Sequence, residues 1–192
     1  MKNSIKQTVL LMGLLGLTLN ATAAVDRNNS IILKSGVYTL DTTRQTILSS
    51  STKYEDDVDS EFALEYEYRI NDRVGIGVEY ITFTGNFIIL ATPGETDGEL
   101  LMFNVRRYFE IGQHVKPYFG GGLGFSRVEM SGAIGGDGSG MGVQGMLGVE
   151  FPFDRFGLVA EYKFISSEPD DGAGEEVDLS GSGLFLGAMV RF

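Results

Sequence analysis

Between residues 60 and 70 the chain alternates strictly. Phe62, Leu64, Tyr66 and Tyr68 fall on one face, and Glu61, Ala63, Glu65, Glu67 and Arg69 on the other. A period of two belongs to an extended strand, whose successive side chains point to opposite sides. The pattern returns in segments of about ten residues separated by turn signals, the sequence mark of a membrane-spanning β-barrel. Eight such segments are read, at 30–40, 60–70, 74–83, 99–109, 115–128, 141–151, 156–165 and 179–192. In the third, Ile76, Val78 and Tyr80 oppose Gly75, Gly77 and Glu79; in the seventh, Leu158, Ala160, Tyr162 and Phe164 share a face.

The separators alternate in length. Residues 41–59, 84–98, 131–140 and 166–178 form long polar connections, and 71–73, 111–114 and 152–155 form short turns. Tight periplasmic turns and long external loops give this rhythm, and an even strand count puts both termini on the periplasmic side. No stretch beyond the N-terminal region is continuously apolar for eighteen residues, which excludes a helical membrane protein. A parallel α/β sheet is excluded as well, because its crossovers need a dozen or more residues, usually helical.

A soluble barrel or sandwich remains as the competing all-β reading. It would turn its apolar face inward, whereas a membrane barrel turns it to lipid. The polar face here mixes both charge signs with glycines such as Gly36, Gly75, Gly77, Gly120, Gly122 and Gly124. Such a face suits a narrow lumen in which eight strands leave room only for side chains. The expected fold is therefore an all-β, eight-stranded, antiparallel up-and-down transmembrane barrel.

The N-terminus supports export. Lys2 and Lys6 precede an apolar run at 8–19, followed by Asn20-Ala21-Thr22-Ala23-Ala24. This is the layout of a cleavable signal peptide, and the run is too short for a spanning helix, which needs roughly twenty residues. Residues 1–24 are expected to be removed, with cleavage near Ala23 or Ala24, leaving 25–192 as a barrel in a bacterial outer membrane. Of 15 Lys and Arg, two lie in the leader, so 13 cations face 26 Asp and Glu in the remainder. That balance argues against nucleic acid as a partner, since phosphate binding needs clustered cations. Cysteine is absent, so neither a disulfide framework nor a thiolate ligand is available.

The stretch Val115-Lys116-Pro117-Tyr118-Phe119-Gly120-Gly121-Gly122-Leu123-Gly124-Phe125 resembles a strand signature of small outer-membrane β-barrel proteins. So does Gly157-Leu158-Val159-Ala160-Glu161-Tyr162-Lys163-Phe164. The likeness, to OmpA-like transmembrane domains and OmpX-type eight-stranded barrels, covers the whole chain after the leader. It implies that Gly187, Val190 and Phe192 form the C-terminal signal read by the barrel-assembly machinery. It also implies lipid and lipopolysaccharide as surroundings, and a family that includes structural proteins, adhesins and narrow pores.

Catalytic signals are weak. An envelope-lipid hydrolase needs a His base beside a Ser nucleophile, and the single histidine, His114, falls in a short periplasmic turn. The run at 120–124 lacks the helix and Lys of a phosphate loop. The stretch at 135–140 resembles one copy of a calcium repeat that works only in stacked arrays. No cofactor and no metal site are expected. Acidic clusters at Glu55, Asp56, Asp57 and Asp59, and at Glu168, Asp170, Asp171, Glu175, Glu176 and Asp178, are solvated loops or seats for divalent cations bridging to lipopolysaccharide phosphates.

The inward charges are the most informative feature. Lys34, Arg69, Arg106, Lys163 and Arg191 can offset Glu65, Glu67, Glu79, Glu150 and Glu161. Unpaired charges in a narrow interior are costly, so a salt-bridged plug is expected, with pore lining as the alternative. Function is accordingly expected to be non-enzymatic. The scaffold would present surface loops for envelope structure, adhesion or a host partner, and the alternative is a narrow channel for small solutes.

Overall fold

The computed structural model describes residues 27–40, 58–89, 92–111, 114–131, 136–167, 169 and 180–192. The leader, the assigned cleavage site and nearly all of the two acidic clusters lie outside these residues. Eight strands follow one another: β1 (Asn29–Leu40), β2 (Val58–Asn71), β3 (Val74–Ile89), β4 (Thr92–Tyr108), β5 (Lys116–Ser131), β6 (Gly136–Phe153), β7 (Phe156–Ser167) and β8 (Gly181–Arg191). Each pairs antiparallel with its neighbours, and β1 pairs with β8, so the sheet closes into a barrel. The seam is completed beyond the strand by reciprocal backbone hydrogen bonds between Asn29 and Phe192. Closure satisfies every edge, the condition for a sheet to stand in hydrocarbon.

The register fixes the barrel's shape. Ser30 pairs with Glu67, Glu67 with Gly77, Gly77 with Asn104, Asn104 with Gly122, Gly122 with Gln144, Gln144 with Ile165, and Ile165 with Gly181. Gly181 then pairs with Leu40, so the circuit returns to β1 ten residues beyond its start at Ser30. A stagger of this kind tilts the strands by roughly 35–45° and sets which side chains share a height in the lumen.

The alternation sorts the walls. Leu33, Phe62, Tyr66, Val78, Phe103 and Leu123 are exposed on the outer wall, as are Phe125, Leu147, Leu158, Phe164 and Leu186. An apolar exterior of this extent has no place in water and matches the lipid-facing band of a membrane barrel. Aromatics gather toward the end that carries the termini, where Phe109 and Phe119 stack at 5.7 Å and Phe153 and Phe156 flank the β6–β7 turn. At the other end the outer wall turns polar, with Arg127 paired to Glu129 at 3.0 Å.

Two of the connections expected to be long are not. β3 and β4 stay paired as far as Ile89 and Thr92, and β5 and β6 as far as Met130 and Gly136. The β2–β3 ladder stops at Val58 and Gly85, and the β6–β7 ladder at Ser167 and Gly142. One side of the barrel, β3 to β6, therefore rises above the other. Above the bilayer neither face is sorted between lipid and lumen, so the alternation fades there while the backbone ladder, which needs no particular side chains, continues.

Candidate functional site

Glycines on the inner wall make room for the large side chains opposite them. A Cβ on Gly148 would lie 2.4 Å from Tyr118 Cζ, one on Gly98 2.0 Å from Phe83 Cζ, and one on Gly36 2.8 Å from Phe185 Cδ1. These glycines make room for the rings of Tyr118, Phe83 and Phe185.

All ten charged residues singled out in the sequence point inward; nine are buried and Arg191 is half-buried. They form one connected system. Lys34 Nζ reaches Glu65 Oε2 at 2.8 Å, Glu161 Oε1 at 2.8 Å and Glu79 Oε1 at 2.5 Å. Arg106 spans three carboxylates, Glu65 at 2.6 Å, Glu67 at 2.9 Å and Glu161 at 2.8 Å, and its Nε donates to Met146 Sδ at 3.2 Å. Lys163 pairs with Glu79 and, at 3.4 Å, with Glu161. Toward the termini, Arg69 joins Glu67 at 2.9 Å and Glu150, and Arg191 closes on Glu150. Five cations meet five carboxylates, so these ten are neutral as a set. Strands far apart in sequence are joined this way: Lys34 on β1 meets Glu161 on β7, and Arg69 on β2 meets Glu150 on β6.

Neutral side chains complete the network, and the sequence reading did not include them. Tyr108 donates to Glu67 Oε2 at 2.5 Å and Tyr118 to Glu161 Oε2 at 2.8 Å. Asn104 donates to Glu79 Oε2 at 3.0 Å, and Gln144 donates to Glu79 Oε2 at 3.1 Å and to Asn104 Oδ1 at 2.6 Å. The Arg69 guanidinium lies 3.7 Å from the Tyr108 ring centroid, a cation–π contact in a desolvated site. For three of them a signal was available: Asn104 and Tyr108 each stand two residues from Arg106 on β4, and Gln144 stands six from Glu150 on β6, whereas the β5 strand of Tyr118 carries none of the ten charges. Counting charges alone passed over them. Arg106 bonds Glu65 and Glu67, whereas Glu79 is taken by Lys34 and Lys163.

Above the network, toward the end opposite the termini, the lumen becomes apolar. Tyr38, Ala63, Ile81, Phe83, Leu100, Met102, Val128 and Ile165 form one buried cluster. Of the C-terminal trio, Gly187 lies against Lys34, with a built Cβ 2.6 Å from Lys34 Cγ, and Phe192 sits at the seam. His114 is exposed in the β4–β5 connection at the terminus end, away from the network. Among the described residues no cluster of His, Cys, Asp and Glu is arranged to hold a metal ion.

Solved structures of the same shape include bacterial outer-membrane barrels. Neisserial surface protein A superposes with a TM-score of 0.62 at 19% identity, over 86% of this chain and 97% of that one. The attachment invasion locus protein Ail of Yersinia pestis gives 0.54 at 19% identity, over 85% and 96%. The outer membrane protein OprG of Pseudomonas aeruginosa gives 0.51 at 15% identity, over 86% and 96%. No curated protein sequence matches the chain. The sequence family described as the outer membrane protein beta-barrel domain matches residues 9–192. With strands, closure and apolar exterior in place, the chain belongs to that family and resides in a bacterial outer membrane.

Proposed function

We propose that this protein is a sealed, non-enzymatic anchor that holds surface segments at the outer face of the outer membrane. The observation that carries this reading is the lumen. Its ten charges cancel within one hydrogen-bonded system, and an apolar layer lies between that system and the exterior. Eight strands leave space only for side chains, and here the side chains fill it.

A scaffold without a conducting interior acts through what its strands present. The connection at 41–57 carries Asp41, Glu55, Asp56 and Asp57 against Arg44 and Lys53, and the one at 168–180 carries six acids and no Lys or Arg. Ail has been solved with the heparin analogue sucrose octasulfate, a polyanion. The present chain carries the opposite preference. Its acidic segments favour a basic protein surface, or divalent cations that tie them to lipopolysaccharide phosphates, since carboxylates suit calcium and magnesium. In the same reading residues 1–24 serve export, and Gly187, Val190 and Phe192 serve recognition by the assembly machinery.

Planar-bilayer recording on the folded barrel tests the sealed lumen. The expected result is a flat trace at neutral pH, without unitary steps. Stable open steps would overturn it and make the protein a narrow channel for small solutes.

A further inference from the structure

One inward carboxylate stands outside the balanced set. Glu61 on β2 is buried at 2% exposure, its Oε2 has no hydrogen-bond donor, and among the described residues it makes no ion pair. With it, among the described residues, six buried carboxylates stand beside the five cations of the network. Correcting each pairing row for the barrel's stagger places Glu61 at the height of Tyr38, Phe83, Leu100 and Ile165, within the apolar layer. Lys163 lies one layer below.

The groups around it are few. On its own strand, among the residues whose side chains are described, the next inward charge is Glu65, and β3 contributes Glu79, both in the network beneath. From β1 come Tyr38 at the same height and Lys34 two layers below. From β7 come Lys163 and Glu161. β4, β5, β6 and β8 offer Leu100 and Met102, Ser126 and Val128, Gln144, and Phe185, none of which titrates in the range that concerns a carboxyl. Ser126 and Ser167 on the far wall bond each other at 2.6 Å. Ala63, Ile81 and Val128, members of the same apolar cluster, are wholly buried.

A carboxylate left charged and unpaired in such a layer is expensive. Two remedies fit the available space: a proton, or the Lys163 ammonium. Lys163 can leave its place without stranding its partners. Glu79 would keep Lys34 at 2.5 Å, Asn104 at 3.0 Å and Gln144 at 3.1 Å. Glu161 would keep Lys34 at 2.8 Å, Arg106 at 2.8 Å and Tyr118 at 2.8 Å. A lysine head on a flexible four-carbon stem is suited to such a move.

We propose that Glu61 is a proton-binding site within the lumen, and that loss of its proton draws the Lys163 ammonium up from Glu79 and Glu161 into the apolar layer. With the proton bound the upper layer is neutral and dry. With the proton lost that layer holds an ion pair, so the pH outside the cell sets the polarity of the lumen's outer third. The inference does not depend on whether the barrel conducts, and its test reads side chains rather than current.

The test is side-chain NMR on the full refolded barrel, following Glu carboxyl carbons and lysine Nζ from about pH 5 to about pH 9, around the ordinary His range and above the ordinary carboxyl range. In the wild type one carboxyl resonance should titrate, and one lysine resonance should shift with the same midpoint. Glu61→Gln, which keeps the shape and removes no partner, should abolish both changes. Glu61→Met, which suits the apolar layer, should fold and likewise leave Lys163 in its lower place at every pH. Superposable titrations of wild type and Glu61→Gln would overturn the site. A titrating Glu61 with an unmoved Lys163 would overturn the exchange.

Discussion

The two halves of the lumen are lined by different chemistry. In the half nearer the termini, charged groups span the barrel, and almost every oxygen and nitrogen has a partner across it. In the outer half apolar side chains line the lumen, and among the described residues Glu61 is the one buried charged group in that layer. Both halves face the same bilayer through the same apolar wall, so the difference comes from inside. A charged network is directional and fails when one member is missing, because each removal leaves a buried charge behind. An apolar layer is tolerant of chemistry and sensitive to volume. The inner half therefore specifies which strands face which, and the outer half supplies packing.

The largest effect should come from breaking the inner half. Arg106 holds Glu65, Glu67 and Glu161 together. Arg106→Ala leaves three carboxylates sharing the remaining cations, and losing one partner of a buried pair costs about 3–5 kcal/mol. Urea unfolding in detergent should show that loss, and the folded, fast-migrating gel band should vanish at a lower temperature. Adding Glu67→Gln should recover part of it, because four carboxylates then again face four cations in the network. A single variant as stable as the wild type would mean that the network is ornamental.

The outer half should respond to volume instead. Leu100 is 2% exposed in the apolar layer, and Leu100→Ala leaves a cavity worth about 2–5 kcal/mol. Leu100→Met, nearly equal in volume, should cost less than about 1.5 kcal/mol. The same pair of measurements distinguishes packing from polarity. If Met were as damaging as Ala, the layer would be closed by shape at one position rather than by bulk.

Much of this arrangement was legible before any coordinates. The alternation at 60–70 sorted Glu65, Glu67 and Arg69 from Tyr66 and Tyr68, because a strand's period is two whatever the strand packs against. The same rule gave the ten inward charges, though Glu61, on the same face as Glu65, was left out of that set. What it could not give is height. That Lys34, Lys163 and Arg106 all meet Glu161 depends on a stagger accumulated over eight pairings, and no single segment carries that information. Strand ends at 84–98 and 131–140 were missed for a related reason: above the bilayer the two faces meet the same solvent, so the pattern that marks a strand fades while the strand continues. Tyr108, Tyr118, Asn104 and Gln144 were missed because attention to charge hides the neutral donors that complete a network.

The smallest effects should come from glycines, and they show which wall carries the constraint. Gly124 on β5 faces the lumen, and a Cβ there would lie 1.9 Å from the Leu101 carbonyl oxygen. That atom is backbone and cannot swing aside, so Gly124→Ala should cost about 1–3 kcal/mol through overpacking. Gly145 on β6 faces outward, opposite Gly121 of β5, and a Cβ there meets nothing within 4 Å. Its backbone is not in the left-handed region, so Gly145→Ala adds no strain and reduces the freedom of the unfolded chain, a gain of about 0.4–1 kcal/mol. Both changes add the same methyl to neighbouring strands of one barrel. Opposite signs in urea unfolding would place the limit on this fold inside the lumen, where glycine makes room for Arg, Tyr and Phe. Equal losses at both positions would move that limit to the outer wall, and the pair of opposed glycines there would then be a feature that lipid packing requires.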